Sequence, residues 1–203
     1  MFETSALISV FVTLFVVVDP IGLTPMFIAL TQGTSNAHRR LVAIRGCVVA
    51  AVLLTVFGLA GETILAGVGI TMPAFQIAGG ILLFLTALDM LFDRRTKRRA
   101  GHADAVPDPS VFPLAMPLIA GPGAMATMIL LVGETSDWSG ILAVHLAMLA
   151  VLLIAFILFL FATPFERALG PTGTMVITRL LGMLLAALSV QFVLNGIQGA
   201  GLI

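Results

Sequence analysis

Asp19-Pro20-Ile21-Gly22-Leu23-Thr24-Pro25 sets one acid, two prolines and a glycine inside an apolar run that begins near Leu7 and resumes from Met26 to Leu30. Proline has no N–H to donate, so a helix at this point frees backbone groups that, in lipid, must be covered by protein or line water. An ionisable side chain at the centre of a membrane span is a candidate functional residue by default. The stretch therefore predicts a broken transmembrane helix.

A second interruption, Gly121-Pro122-Gly123, falls within the apolar run Val111 to Val132, and Pro122 lies 102 residues after Pro20 in a chain of 203. At that offset Met26 matches Met128, Gly80 matches Gly182, and Leu82-Leu83 match Leu184-Leu185. With a slip of one residue, Ser9-Val10-Phe11 also matches Ser110-Val111-Phe112. The chain reads as two copies of one unit, each opening with a broken helix.

Hydrophobic residues make up 60% of the chain, charged residues 10%, and the mean hydropathy is +1.16. That leaves too little polar surface for a soluble globule and predicts an integral membrane protein. The single cysteine, Cys47, lies in an apolar segment and excludes an intrachain disulfide framework. The start, Met1-Phe2-Glu3-Thr4, lacks a basic signal-peptide region, so the first apolar run is expected to be a retained span.

Six runs approach the roughly 20 residues a span requires: about 5–31, 41–61, 71–92, 111–132, 140–162 and 174–197. Polar and turn-forming residues connect them at 32–40, 61–70, 93–110, 133–139 and 163–173. The expected organisation is a first three-helix repeat over 1–92, a basic cytoplasmic linker over 93–110 and a second repeat over 111–203. All ten Lys and Arg residues belong to the first, third and fifth connectors or their flanks. The positive-inside rule then puts those connectors in the cytoplasm and both termini outside. Trp138 suits an anchor at the outer interface. Three spans per copy make the repeats inverted, a recurrent plan for secondary transporters. The predicted fold class is thus an all-α membrane protein of six transmembrane helices arranged as two inverted three-helix repeats.

Each interruption puts proline directly after a residue able to cap a helix, Asp19 or Gly121. Each broken span is expected to restart as a half-helix whose free N–H groups, at Gly22 to Thr24 and at Gly123 to Ala126, face a gap. Such ends attract anions. A carboxylate held there, with an ammonium near Asp19, describes a zwitterionic amino acid. The bland alternative is a pair of proline kinks used only for packing.

Asp19-Pro20-x-Gly22-x-x-Pro25, Ala120-Gly121-Pro122-Gly123-Ala124 and the Arg179-x-x-Gly182 start of the last span resemble the MarC family, also called the small neutral amino acid transporter family. The resemblance covers essentially the whole chain except the linker 93–110. It implies a six-span inner-membrane protein of the bacterial and archaeal kind that transports small neutral amino acids such as glycine or alanine, with a coupling proton or cation. The candidate substrate-binding residues are Asp19, Pro20, Gly22, Thr24, Gly121, Pro122 and Gly123, with Gln76 and Arg179 beside them.

Gln76 lies one turn from Gly79-Gly80, where a neighbouring helix can approach closely; it either lines the site or makes an interhelical hydrogen bond. Asp89 reads as an interfacial ion-pair residue. Arg179 either snorkels to the cytoplasmic interface, or faces the cavity or pairs with Asp89. Gln191 and Asn195 share a helical face and, with Glu62, line an outer vestibule or are solvated helix ends. His145 is expected to bond a backbone acceptor rather than relay protons. The basic run Arg94 to Arg99 is a topology anchor beside anionic headgroups.

The leading function is a secondary transporter with its site between the two broken helices. A membrane scaffold without a pathway is the alternative from another class, and a channel would need a continuous polar stripe. An intramembrane enzyme is disfavoured because His38, His102 and His145 show no metal-ligand spacing and no nucleophile or nucleotide motif is present. No cofactor, metal or nucleic acid is expected.

Overall fold

The computed structural model describes residues 4–92, 108–135 and 137–201. Of the expected linker, residues 93–107 lie outside this description, and with them the basic run Arg94 to Arg99 and His102.

All described elements are helical: α1 (Thr4–Val18), α2 (Pro20–Leu30), α3 (Asn36–Gly67), α4 (Met72–Leu91), α5 (Ser110–Ile119), α6 (Pro122–Gly133), α7 (Trp138–Leu160) and α8 (Ala162–Gly199). Five described stretches are long and apolar enough to cross a membrane, and α5 with α6, bent by 56°, makes a sixth if the pair is one span rather than a re-entrant loop. The expected spans are therefore present to within a few residues at most ends. Two connectors are more helical than their polarity implied. Helix α3 runs through Glu62 to Gly67, and α8 begins at Ala162 with its helical course broken at Gly170, where φ is 66°. Glycine reaches that backbone region without steric cost.

The two halves do not pack as separate bodies. Helix α4 lies along α8, α3 packs on α5, α6 and α7, and α1 and α2 pack on α7 and α8. Glycines set the closest approaches. A Cβ on Gly80 would stand 2.8 Å from the Ser189 carbonyl oxygen, and one on Gly196 would stand 2.8 Å from that of Pro73. Gly46 similarly admits the Leu114 side chain, and Gly61 admits Ile129.

The helix ends cluster in two sets. At one, Arg39 Nη1 donates to Thr163 Oγ1 at 3.3 Å, and Arg45 pairs with Asp108 at 2.9 Å. These contacts join the first connector to the fifth and to the end of the third. At the other, Gly133 lies under the carboxylate of Glu62 and the methyl of Met72, which joins the fourth connector to the second. Alternate connectors thus meet at opposite ends of the bundle.

Candidate functional site

The first interruption is compact and buried. Asp19 separates α1 from α2 as a single residue in the left-handed region (φ 52°, ψ 63°), and among the described residues it is the one non-glycine with positive φ. Aspartate tolerates this conformation because its short polar side chain can bond locally. Here the carboxylate turns back over α2, and Oδ1 accepts the Gly22 N–H at 3.0 Å. The side chain is fully buried. Gly22 is the residue that makes this possible, since a Cβ there would run into the carboxylate, 2.8 Å from Asp19 Cγ.

This corrects one expectation. The Gly22 N–H does not face a gap, because Asp19 fills the N-terminus of its own half-helix. The Leu23 N–H bonds the Asp19 carbonyl at 3.0 Å. Thr24 is likewise turned inward, its hydroxyl donating to the Pro20 carbonyl at 2.9 Å. Nor is this span sharply bent, for Ser5–Leu30 forms one continuous 26-residue stretch.

The second interruption is less buried than the first and lacks a side-chain cap. Pro113 and Pro117 widen α5 into five-residue turns, with Leu114 N–H on the Pro109 carbonyl (3.1 Å) and Ala120 N–H on that of Ala115 (2.8 Å). The Phe112–Pro113 and Met116–Pro117 bonds are cis. Helix α6 then starts at Gly121 and Pro122 without a side-chain cap. Gly123 and Ala124 therefore present N–H groups to which no side chain responds, at the end of a helix where partial positive charge collects. Gly121 is half-buried and Pro122 exposed, in contrast to Asp19 and Pro20.

Helix α4 faces this second break, and the register of contacts decides which of its residues is near. A Cβ on Gly123 would stand 2.8 Å from Leu83 Cδ2 and 3.9 Å from Thr86 Oγ1, whereas Gly79 lies at Ala126 and Met72 at Gly133. Gln76 shares this face but falls between Gly79 and Met72, about 10 Å along the axis from the level of Leu83. The structure thus brings Thr86, not Gln76, to the start of α6. The sequence reading missed Thr86, whose only signal is its position two turns after Gly79. Arg179 is exposed, three residues before the Gly182 that packs on Met90 of α4, and forms no ion pair with Asp89.

The two broken spans lie against each other, through α1 on α6 and α2 on α5. At the far end of α2, Phe27 stacks on Phe159 of α7 with ring centroids 4.5 Å apart. The Arg39 guanidinium sits over the Phe27 ring at 5.8 Å. Such stacking contributes about 0.5–1.5 kcal/mol beyond burial, so apolar and cation–π contacts together pack this end of the Asp19 span. His145 Nδ1 is 2.8 Å from the Ile141 carbonyl, the backbone acceptor expected for it. Gln191 bonds Asn195 at 2.7 Å on the exposed face of α8. Among the described residues no group of acidic, histidine and cysteine side chains is arranged to hold a metal ion.

Five apolar candidate spans among the described residues, with a sixth if the bent pair α5–α6 is one span, and a buried carboxylate within the first define a polytopic helical membrane protein with an ionisable residue in its interior. The MarC family integral membrane protein profile matches residues 4–201, and the chain belongs to that family. A UPF0056 membrane protein of Aquifex aeolicus is 36% identical over 197 residues, covering 94% of this chain and 92% of the relative. The UPF0056 inner membrane protein YhgN of Escherichia coli K12 is 34% identical, covering 95% and 96%. The UPF0056 membrane protein YvbG of Bacillus subtilis is 33% identical, covering 96% and 95%. No solved structure matches the chain.

Proposed function

We propose that the protein is a secondary transporter of small neutral amino acids such as glycine or alanine, coupled to a proton or cation, and not an enzyme. It lies in the inner membrane with both termini outside. The observation that carries this reading is the buried Asp19 carboxylate at the midpoint of a span, held in a left-handed conformation over Gly22. A carboxylate at the bilayer centre costs roughly 2.5–3.5 kcal/mol on insertion scales. Asparagine or serine caps a helix as well without that cost. The charge is retained because it is used, either for the substrate ammonium or a coupling cation, or as a proton carrier. The uncapped start of α6 supplies the complementary pole for a carboxylate.

An inverted-repeat architecture underlies this function, and reciprocal contacts support it. Gly80 meets Ser189 and Val193, while Gly182 meets Ala87 and Leu91, which lie 102 positions before Ser189 and Val193. Packing of α1 on α7 likewise corresponds to α5 on α3, α2 on α7 to α6 on α3, and α2 on α8 to α6 on α4. A two-fold axis relating halves of three spans each lies in the membrane plane. Counterflow by purified protein in liposomes, screened over the common amino acids, tests the function. Saturable exchange of glycine or alanine is expected, and its absence for every amino acid would leave the scaffold reading.

A further inference from the structure

His145 of α7 is bonded at one ring nitrogen only. Its Nδ1 lies 2.8 Å from the Ile141 carbonyl, an acceptor, so in the neutral ring Nδ1 carries the hydrogen and Nε2 the lone pair. Nε2 is buried and has no hydrogen-bond partner among the described residues. A buried polar atom in this state calls for an ion, a water or a chemical role. Its surroundings narrow the choice. A Cβ on Gly58 of α3 would stand 3.2 Å from Nε2 and 3.1 Å from Cε of Met128 on α6. Imidazole nitrogen and thioether therefore converge on the side-chain position that Gly58 leaves free, and Gly58 and Met128 are themselves buried. Water needs roughly two to four polar partners, and the atoms nearest this point supply one nitrogen beside carbon.

We propose that His145 Nε2 and Met128 Sδ form a two-ligand site for a soft monovalent metal ion of the Cu(I) class, in the seam of α3, α6 and α7 beside Gly58. Thioether sulfur selects Cu(I), and imidazole suits the same metal. Methionine turns on three rotatable bonds, so its sulfur can take the place of its methyl group at this point. Two metal–ligand bonds of roughly 2.0–2.3 Å then bridge the two side chains. The Nδ1–H bond to the Ile141 carbonyl is the outer contact that fixes tautomer and ring plane in a ligating histidine. Both ligands are neutral, so the charge of the ion stays in an apolar interior, which favours a monovalent ion over a divalent one. An ion held there ties α6, the half-helix that follows the second break, to α7. The site does not depend on the transport reading.

The test is anaerobic titration of purified protein with Cu(I) against a chromogenic chelator, on a Cys47→Ala background that removes the free thiol. One equivalent should bind, with one nitrogen and one sulfur ligand by X-ray absorption. Met128→Leu, which nearly conserves volume, and His145→Gln should each weaken binding at least tenfold. Gly58→Ala, whose Cβ enters the space between the ligands, should do the same, while Met116→Leu on the exposed side of α5 should change nothing. Three variants on three helices guard against one of them misfolding. Absence of uptake in the Cys47→Ala protein would overturn the site. So would affinity unchanged by Met128→Leu and His145→Gln, which would mark the bound metal as adventitious. Amino-acid counterflow is not a readout, so failure of the transport reading leaves these affinities standing.

Discussion

The two interrupted spans carry prolines 102 residues apart, Pro20 and Pro122, yet they solve the same backbone problem in opposite ways. At Asp19 the chain loses one residue of helix, keeps its direction and satisfies the next half-helix with its own carboxylate. At Gly121 the preceding segment is widened by Pro113 and Pro117, the span bends by 56°, and the restarted helix has no side-chain cap. One break is buried and capped by a carboxylate, the other is less buried at Gly121 and Pro122 and has no side-chain cap. A repeat that had kept its kinks only for packing would have no reason to diverge in charge at the kink itself. On the transport proposed above, cation or proton handling falls to the first half and anion attraction to the second.

Asp19→Ala should do the most damage. It removes a cap worth about 0.5–2 kcal/mol and leaves alanine in a left-handed conformation that costs about 1–2 kcal/mol. Lowered thermal stability in detergent and no transport are expected. An unchanged melting temperature would mean that the carboxylate does not cap α2.

Gly22→Ala comes next. Its Cβ displaces the Asp19 carboxylate, so a loss of about 1 kcal/mol with impaired transport is expected. Most of that loss should vanish when the substitution is made in Asp19→Ala protein. A double-mutant cycle without such coupling would contradict the Asp19–Gly22 contact.

Gly123→Ala should be mildest, since its Cβ meets the movable end of Leu83. Stability should change by less than about 1 kcal/mol, while the half-saturating solute concentration rises more than the maximal rate falls. Equal effects of Gly22→Ala and Gly123→Ala on both stability and transport would erase the distinction between the breaks.

Much of the architecture was legible because apolar length and polar interruption are local properties. The six spans, the Gly80 contact and the backbone acceptor of His145 follow from such patterns. What the sequence did not disclose depends on geometry between elements or on a side-chain rotamer. Asp19 is a capping residue by type, but whether its carboxylate bonds Gly22 or leaves that N–H open is decided by the backbone at residue 19. Gln76 was singled out for lying one turn from Gly79-Gly80, and Thr86 was not considered. The register of α4 on α6, with Gly79 at Ala126 and Leu83 at Gly123, places Thr86 nearest the start of α6. The arginine-rich connectors show charge in the sequence, but Arg39 stacked over Phe27 needs two helix ends to meet. The extent of α3 and α8 beyond their apolar runs was hidden by the polar residues that carry their ends.

The most direct measurement is on Asp19→Asn, which keeps the capping oxygen, tolerates the left-handed backbone and removes only charge and titration. Reconstituted with a proton gradient imposed, this variant should melt close to wild type and lose accumulation of the transported amino acid. Exchange at equal concentrations survives if Asp19 carries the proton and fails if it holds the ammonium. Accumulation at the wild-type level would contradict a working role for the charge and reduce Asp19 to a helix cap.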